Sequence, residues 1–363
     1  VKYFIIAGEA SGDLHASNLV KGLKEFDKNP VFTGWGGVHM QEQGVVLLKH
    51  ISELSFMGIT EVLKNIRTIK KNFKICYSQI EEFKPDAVIL VDFPGFNLRV
   101  ARQIFSRVPR VYYYISPTVW AWHRSRMYTV RDYTSKMFVI LPFEKEFYAR
   151  FGIEVFFEGH PLLDAIPEMT PADMDRNRIA ILPGSRKQEI SAMLPVMLTT
   201  AAKLGSGYQF RLAAAPNISD DFYRQIAGTF PVELSREGTR SVLHGSAAAM
   251  VTSGTATLET ALYGIPQVVC YTTSPLSYWI ARALVDVKYI SLVNLILREP
   301  LLKELIQGDL NSDALYNELV AILPGGSRRE EILDGYQRLN GMIGKPGASR
   351  RVAEKICLDL CER

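Results

Sequence analysis

Asp92 closes the apolar run Asp86 to Val91 and is followed at once by phenylalanine, proline and glycine in the stretch VDFPGFN, Val91 to Asn97. Open parallel sheets take their ligands outside the ends of their strands, so a carboxylate set there projects into a crevice with little water around it. Desolvation raises an aspartate pKa towards the range in which it accepts a proton from a hydroxyl, which makes Asp92 a candidate general base. A plainer reading, a cap on the following helix, fits the same residue equally well.

Two further stretches follow the same logic. In LPGSRKQE, Leu182 to Glu189, Gly184 lets a ligand approach the backbone, Ser185 can cap, and Arg186 stands at a helix entrance. A helix N-terminus with a forked guanidinium beside it suits a diphosphate, and a charge clamp of that kind eases the departure of a diphosphate leaving group without a metal. The spacing of a Walker A loop is absent. In TSGTATLETALYGIPQVV, Thr252 to Val269, the small residues Ser253, Gly254 and Thr255 open a turn, and Glu259 sits where it could accept both hydroxyls of a ribose. Without a ligand, the first stretch reads as an ordinary helix start and Glu259 as an acid complementing the helix dipole.

These turns need strands beneath them. Apolar or β-branched runs at Tyr3–Ala7, Asp86–Val91, Arg110–Ile115, Lys136–Leu141 and Val155–Phe157 alternate with helical segments. A polar, proline-bearing stretch from Pro161 to Asn177 breaks the series, and a second begins with Arg178–Leu182, Gln209–Ala215, Ala248–Thr252 and Gln267–Tyr271. Such alternation predicts an α/β fold of two Rossmann-like halves whose ligand-binding mouths face each other across a cleft. The expected boundaries are 1–165, 166–340 and a tail, 341–363, whose helix packs back on the first domain by fold analogy.

Composition agrees. A chain of 363 residues, 47% hydrophobic and 22% charged, is ordinary for two globular domains. Cys76, Cys270, Cys357 and Cys361 lack metal-ligand spacing, which favours a reduced compartment and no structural metal. A net charge of +4 is too small to imply nucleic acid. No apolar run approaches the length of a membrane span, and the start carries no signal-peptide pattern, so the expectation is a chain neither exported nor membrane-spanning.

One segment nevertheless suits a membrane surface. Ile59, Val62, Leu63, Ile66, Ile69 and Phe73 recur at helical spacing, while Lys64, Arg67, Lys70, Lys71 and Lys74 fill the other positions. A basic amphipathic helix lies well on an anionic interface, and a surface helix with its stripe on the core has the same pattern.

Taken together, GEASGD (Gly8 to Asp13), FMGITEVL (Phe56 to Leu63), VDFPGFN, YYISPTVWAWHRSR (Tyr113 to Arg126), LPFEKEFY (Leu141 to Tyr148), GHPLLD (Gly159 to Asp164), LPGSRKQEI, SGTATLE and YISLVNLI (Tyr289 to Ile296) resemble the lipid A disaccharide synthases, glycosyltransferases of the GT-B fold. The match covers most of the chain in the family's order. It implies joining of UDP-2,3-diacylglucosamine to 2,3-diacylglucosamine 1-phosphate with inversion, giving a β-1,6-linked disaccharide and UDP, with no catalytic metal and no cofactor. By the same resemblance Asp92 is catalytic, and Arg186, Glu259 and Asn294 lie at UDP-binding positions. Glu9, Ser11, Gly12 and Asp13 belong to a first-turn loop that either binds acceptor or holds itself in place, and His15 is structural or accessory. The membrane-contact set is Val62, Leu63, Ile66, Ile69, Lys70 and Phe73, docking the enzyme peripherally on the cytoplasmic face of the inner membrane. A homodimer is also implied. Trp120 and Trp122 read as core packing, or, with His123, Arg124 and Arg126, as part of a contact to the acceptor phosphate. Two departures stand out: Gly95 replaces an acidic residue carried by some relatives, leaving Asp92 to act alone, and the chain starts close to its first strand, without the short leader of relatives. On the residues alone two other classes compete, a different GT-B enzyme such as a UDP-GlcNAc 2-epimerase and a non-catalytic nucleotide-sugar sensor.

Overall fold

A computed structural model describes residues 1–54, 66–121, 124–166, 175–274, 278–279, 282 and 287–362. The chain forms two units, one of Val1–Ala165 with Ile343–Arg363, the other of Ile166–Met342. In the first, seven strands run in parallel in the order β3-β2-β1-β4-β5-β6-β7, with β1 at Lys2–Ala7, β2 at Val31–Gly36, β3 at Val46–His50, β4 at Ala87–Val91, β5 at Arg110–Tyr114, β6 at Lys136–Val139 and β7 at Phe156–Phe157. The second has six parallel strands in the order β10-β9-β8-β11-β12-β13, with β8 at Asp175–Leu182, β9 at Gln209–Ala213, β10 at Glu233–Ser235, β11 at Ser246–Thr252, β12 at Gln267–Tyr271 and β13 at Glu304–Ile306.

The continuous apolar runs are explained by burial on both faces. Phe4, Ile6, Val88, Leu90, Val111 and Tyr113 pack into one core layer, and Tyr3, Ile5, Ala7, Ala87, Ile89, Val91, Tyr112 and Tyr114 into the other. That is the requirement of a parallel sheet flanked by helices. The expected strands are all present. Unforeseen were β2, β3, β10 and β13, which are short, polar or interrupted by glycine; Gly34, at φ 155, passes so close to β1 that a Cβ there would lie 1.9 Å from the Ile5 carbonyl oxygen.

Each sheet reverses its strand order once, between β1 and β4 in the first unit and between β8 and β11 in the second. At those two places neighbouring strands send their following helices to opposite faces, and a crevice opens above the strand ends. Register brings the relevant residues level, Ala7 with Val91 and Leu182 with Val251. The four glycine-bearing turns therefore assemble in pairs.

The last helix, Ala348–Cys361, lies on the first unit against the Ala10–Phe26 helix, where a Cβ at Gly22 would stand only 3.0 Å from that of Ala353. Val352, Ala353 and Ile356 join the core there. Beside it the outgoing and returning chain segments are clasped together. Arg351 donates to the carbonyls of Glu158, Lys345 and Pro346, and the Asp164 carboxylate accepts from the N–H groups of Gly347, Ala348 and Ser349 at 2.6, 3.1 and 2.7 Å. His160 N–H bonds the Ile343 carbonyl at 2.9 Å.

His15 and His160 are buried near this clasp. Burial pushes the His15 imidazole down to about 4 against a partial lift from Asp164, and burial with repulsion from His15 pushes His160 down to about 3. Both are neutral in the folded state at neutral pH. Because their folded pKa values lie below the unfolded one, the stability they leave intact above pH ~6.5 is lost as the pH falls from there towards 4. His15→Gln is expected to remove on the order of 2–3 kcal/mol of this acid-side loss, measured as the difference in urea unfolding free energy between pH 7.5 and pH 4.5; an unchanged difference would refute the assignment.

Candidate active site

At the first reversal, Asp92 follows the last residue of β4, and its N–H continues the ladder by bonding the Tyr114 carbonyl at 2.9 Å. Asp92 and Phe93 both take left-handed backbone angles, φ 47 and 48. This turns the Phe93 ring over Gly8, where a Cβ would come within 2.3 Å of the ring, so VDFPGFN and GEASGD are in direct contact and residue 8 has to be glycine. The Asp92 carboxyl is half-buried; burial, followed by repulsion from Glu9, raises its pKa to about 6 despite a backbone hydrogen bond from Phe93 that opposes the shift. A carboxylate with that pKa is ionised at neutral pH and basic enough to take a proton from a sugar hydroxyl.

The rest of the first turn divides by role. Glu9 and Ser11 are exposed at the helix start, and a Cβ at Gly12 would meet the Val91 carbonyl oxygen at 3.8 Å, an ordinary contact. Asp13 is buried and fully used: its carboxylate accepts from the N–H groups of Gly37, His39 and Met40 at 2.7, 3.0 and 3.1 Å. These three bonds support the holding role of the two open to it from sequence, and the segment held is the turn from Gly37 to Met40. His15 is likewise interior.

Behind the β5 end lies a buried polar cluster built from two other motifs. Glu144 accepts from the N–H groups of Ile140 and Leu141 at 3.2 and 2.9 Å, and Ser116 and Tyr148 share a hydrogen bond of 2.9 Å. Burial lifts the Glu144 pKa to about 7. Trp120 meets Phe143 edge-on at 5.1 Å, which supports the packing role for this indole; Trp122 and His123 lie outside the described residues. Arg124 and Arg126 are engaged by neighbours.

At the second reversal the residues of both turns line one cavity of about 540 Å³: Gly184, Ser185 and Arg186 from the β8 side, Ser253, Gly254, Thr255 and Glu259 from the β11 side. Its volume suits a nucleotide. Gly184 has φ 111 and Gly254 φ 148, conformations that side chains resist. Arg186 is steadied at the helix entrance by Glu189, whose carboxylate bonds its guanidinium at 2.9 Å and takes the N–H groups of Ser185 and Arg186 at 3.0 and 3.3 Å. Ser253 donates to the Ile290 carbonyl at 2.9 Å and so binds the following loop to the cavity wall. Glu259 is half-buried with its pKa raised by burial, and no described residue hydrogen-bonds its carboxylate, which leaves it open to hydroxyls.

Asn294 is buried and does not line this cavity; its side chain donates to the Leu302 carbonyl and Glu304 and accepts from Leu302 N–H, fastening the loop to β13. Arg236 was not foreseen. It lines the cavity and holds the turn after β9 by donating to the Ala215 carbonyl at 2.8 Å; its stretch, SREGTR, has a glycine turn at Gly238 but no long apolar strand before it to flag it.

Of the membrane-contact set, Val62, Leu63 and the side chain of Ile66 lie outside the described residues. Phe73 is partly buried, stacks on Phe96 with ring centroids 4.4 Å apart and packs against the core on the side of the Ile66–Phe83 helix that Asn72, Cys76 and Ile80 turn inward. Ile69 is half-buried, while Arg67, Lys70, Lys71 and Lys74 form an exposed basic face. No described helix is long and apolar enough to cross a membrane, and among the described residues no cluster of His, Cys, Asp or Glu is placed to hold a metal.

The comparisons with known proteins decide the family. A model of the lipid-A-disaccharide synthetases matches residues 3–351. The chain belongs to that family. Lipid-A-disaccharide synthases of Syntrophus aciditrophicus and Myxococcus xanthus are 40% and 37% identical to it, over 96% and 98% of this chain and 95% and 96% of theirs. As a member it is a glycosyltransferase of lipid A biosynthesis that uses a UDP-sugar donor. Solved structures extend the likeness of fold alone: a UDP-GlcNAc 2-epimerase from Neisseria meningitidis bound to UDP-GlcNAc, TM-score 0.67 at 12% identity over 98% of this chain and 99% of that one, and the glycotransferase of kitacinnamycin, TM-score 0.66 at 13% identity over 99% of both. Two Rossmann-like units of the GT-B kind are thus confirmed.

The loop role of Asp13 has a direct test. Asp13→Ala strands three N–H donors and is expected to cost about 2–4 kcal/mol of stability while UDP affinity stays at the wild-type value, as read by thermal unfolding and calorimetry. A stable variant with a raised acceptor KM would mean that Asp13 serves the acceptor instead.

Proposed function

We propose that the enzyme transfers the sugar of UDP-2,3-diacylglucosamine to 2,3-diacylglucosamine 1-phosphate with inversion, forming the β-1,6 bond and releasing UDP. The observation that carries the reading is Asp92, a strand-end carboxylate at a reversal point whose pKa of about 6 suits proton abstraction. Asp92 takes the proton of the acceptor 6-hydroxyl as that oxygen attacks the anomeric carbon, and the bond to the UDP oxygen breaks. Arg186 and the N–H groups at its helix start stabilise the charge that develops on the diphosphate, which makes a metal dispensable. Glu259 accepts from the ribose. The first unit takes the acceptor and the second the donor. The basic face of Arg67, Lys70, Lys71 and Lys74 favours an anionic leaflet, at roughly 1 kcal/mol per residue near the surface, and this supports peripheral docking on the cytoplasmic face of the inner membrane.

The test is UDP release from the donor, with and without acceptor, in detergent micelles containing EDTA. Wild type should show acceptor-dependent release, and Asp92→Asn should lose at least a thousandfold in kcat with UDP affinity unchanged. Release that ignores the acceptor would sink the proposal, and release abolished by EDTA would sink its metal-free form.

The pH profile adds a second check. Only ionised Asp92 is a base, so kcat/KM should fall about tenfold per unit below pH ~6. Glu9 repels the carboxylate and holds its pKa up, and Glu9→Gln should therefore move the acidic limb to lower pH by a fraction of a unit. A limb that stays in place would remove Glu9 from the site's electrostatics.

A further inference from the structure

Resting on the reading of Asp92 as the base, we propose that Tyr113, together with Asn97, is a positioning residue that locks the left-handed turn on which the carboxylate is mounted. Two consecutive non-glycine residues at φ 47 and 48 are an unusual backbone, each costing about 1–2 kcal/mol relative to right-handed alternatives. Such a turn persists only if its surroundings over-determine it. Here they do so through one atom, the Asp92 carbonyl oxygen. It accepts from the Tyr113 hydroxyl at 2.8 Å and from the Asn97 side-chain amide at 2.8 Å.

Both donors are interior and come from different directions. Tyr113 stands on β5, fully buried, and its hydroxyl reaches past the end of β4. Asn97 lies one turn into the Pro94–Ile104 helix, also fully buried, and its amide is directed in addition at the carbonyls of Val91 and Ile6, 3.2 and 3.4 Å away. Both side chains are wholly buried, so neither is exposed to a ligand above the strand ends. With the carbonyl fixed from one side and the N–H paired to Tyr114 from the other, the Asp92 peptide planes cannot rotate, and the carboxylate has one direction to leave the sheet. The cluster of Ser116, Tyr148 and Glu144 at the end of β5 backs the same strand. This gives the YYISP and LPFEKEFY motifs a part in the reaction that contact with substrate does not require.

A hydroxyl that merely satisfies the interior and one that aims the base differ in what its loss does. Tyr113→Phe keeps the ring and its packing. Aiming the base predicts a fall in kcat of ten- to a hundredfold, the scale on which small misplacements of catalytic groups act. UDP affinity, a property of the other unit, should hold, and the acidic limb of the pH profile should shift as the carboxylate changes surroundings. Loss of stability alone would scale the profile without moving its limb. The comparison uses the full-length enzyme, with Asp92→Asn assayed in parallel. An inactive Asp92→Asn beside a Tyr113→Phe of wild-type kcat and unshifted limb overturns this inference and leaves the base reading standing; an active Asp92→Asn overturns both. If Tyr113→Phe does not fold, Asn97→Ser, which removes the second donor to the same oxygen, is put through the same assays, and unchanged turnover there overturns the proposal.

Discussion

The pairing of β1 with β4 is the constraint on which the rest of the first unit depends. Once the strand order reverses at that pair, the helices that follow the two strands must leave to opposite faces, and nothing of the fold itself covers the strand ends between them. The chain fills the gap with its own side chain: the Phe93 ring lies flat against Gly8 and joins the two turns. That contact demands glycine on one strand and a left-handed backbone on the other. The second unit solves the same geometric problem differently. It leaves the gap between β8 and β11 open as a cavity and lines it with small residues, Gly184, Ser253, Gly254 and Thr255.

The difference separates the chemistry of the two halves. A gap closed by an aromatic ring and an immobilised aspartate offers a carboxylate with raised basicity and little room beside it. An open gap with an arginine at a helix start and an unshared glutamate offers charge and hydrogen bonds for a nucleotide. One fold, used twice, thus presents a desolvated carboxylate in one unit and an open cavity in the other, and the distinction lies in a handful of residues above the strand ends.

Much of this was legible in the sequence because parallel strands buried on both faces leave unbroken runs such as AVILV, and because the turns above them need glycine. Asp92, Arg186 and Glu259 are singled out for that reason: each sits at a position the strand-turn-helix pattern defines. What the sequence concealed is direction. Phe73, singled out for its helical spacing, stacks on Phe96, and Asn294, marked by family resemblance alone, bonds Leu302 and Glu304. Tyr113 looked like one more aromatic in a strand, and only the three-dimensional reach of its hydroxyl across the β4 end sets it apart. Arg236 sits beside a three-residue edge strand too short to leave a pattern.

The first unit is interrupted in the chain, and its completion waits for the last helix. Leu19, Val20 and Leu23 on the Ala10–Phe26 helix are sealed by Val352, Ala353 and Ile356, which follow the whole second unit in the chain. The second unit is continuous and has all its strands in hand earlier. During synthesis, then, the half that emerges first is the half that finishes last, with a helix-wide apolar groove wet until Asp164 and Arg351 can grip the returning segment. A nascent chain stalled before that segment would carry the second unit's cavity complete while Asp92 still stood on a sheet domain lacking its covering helix.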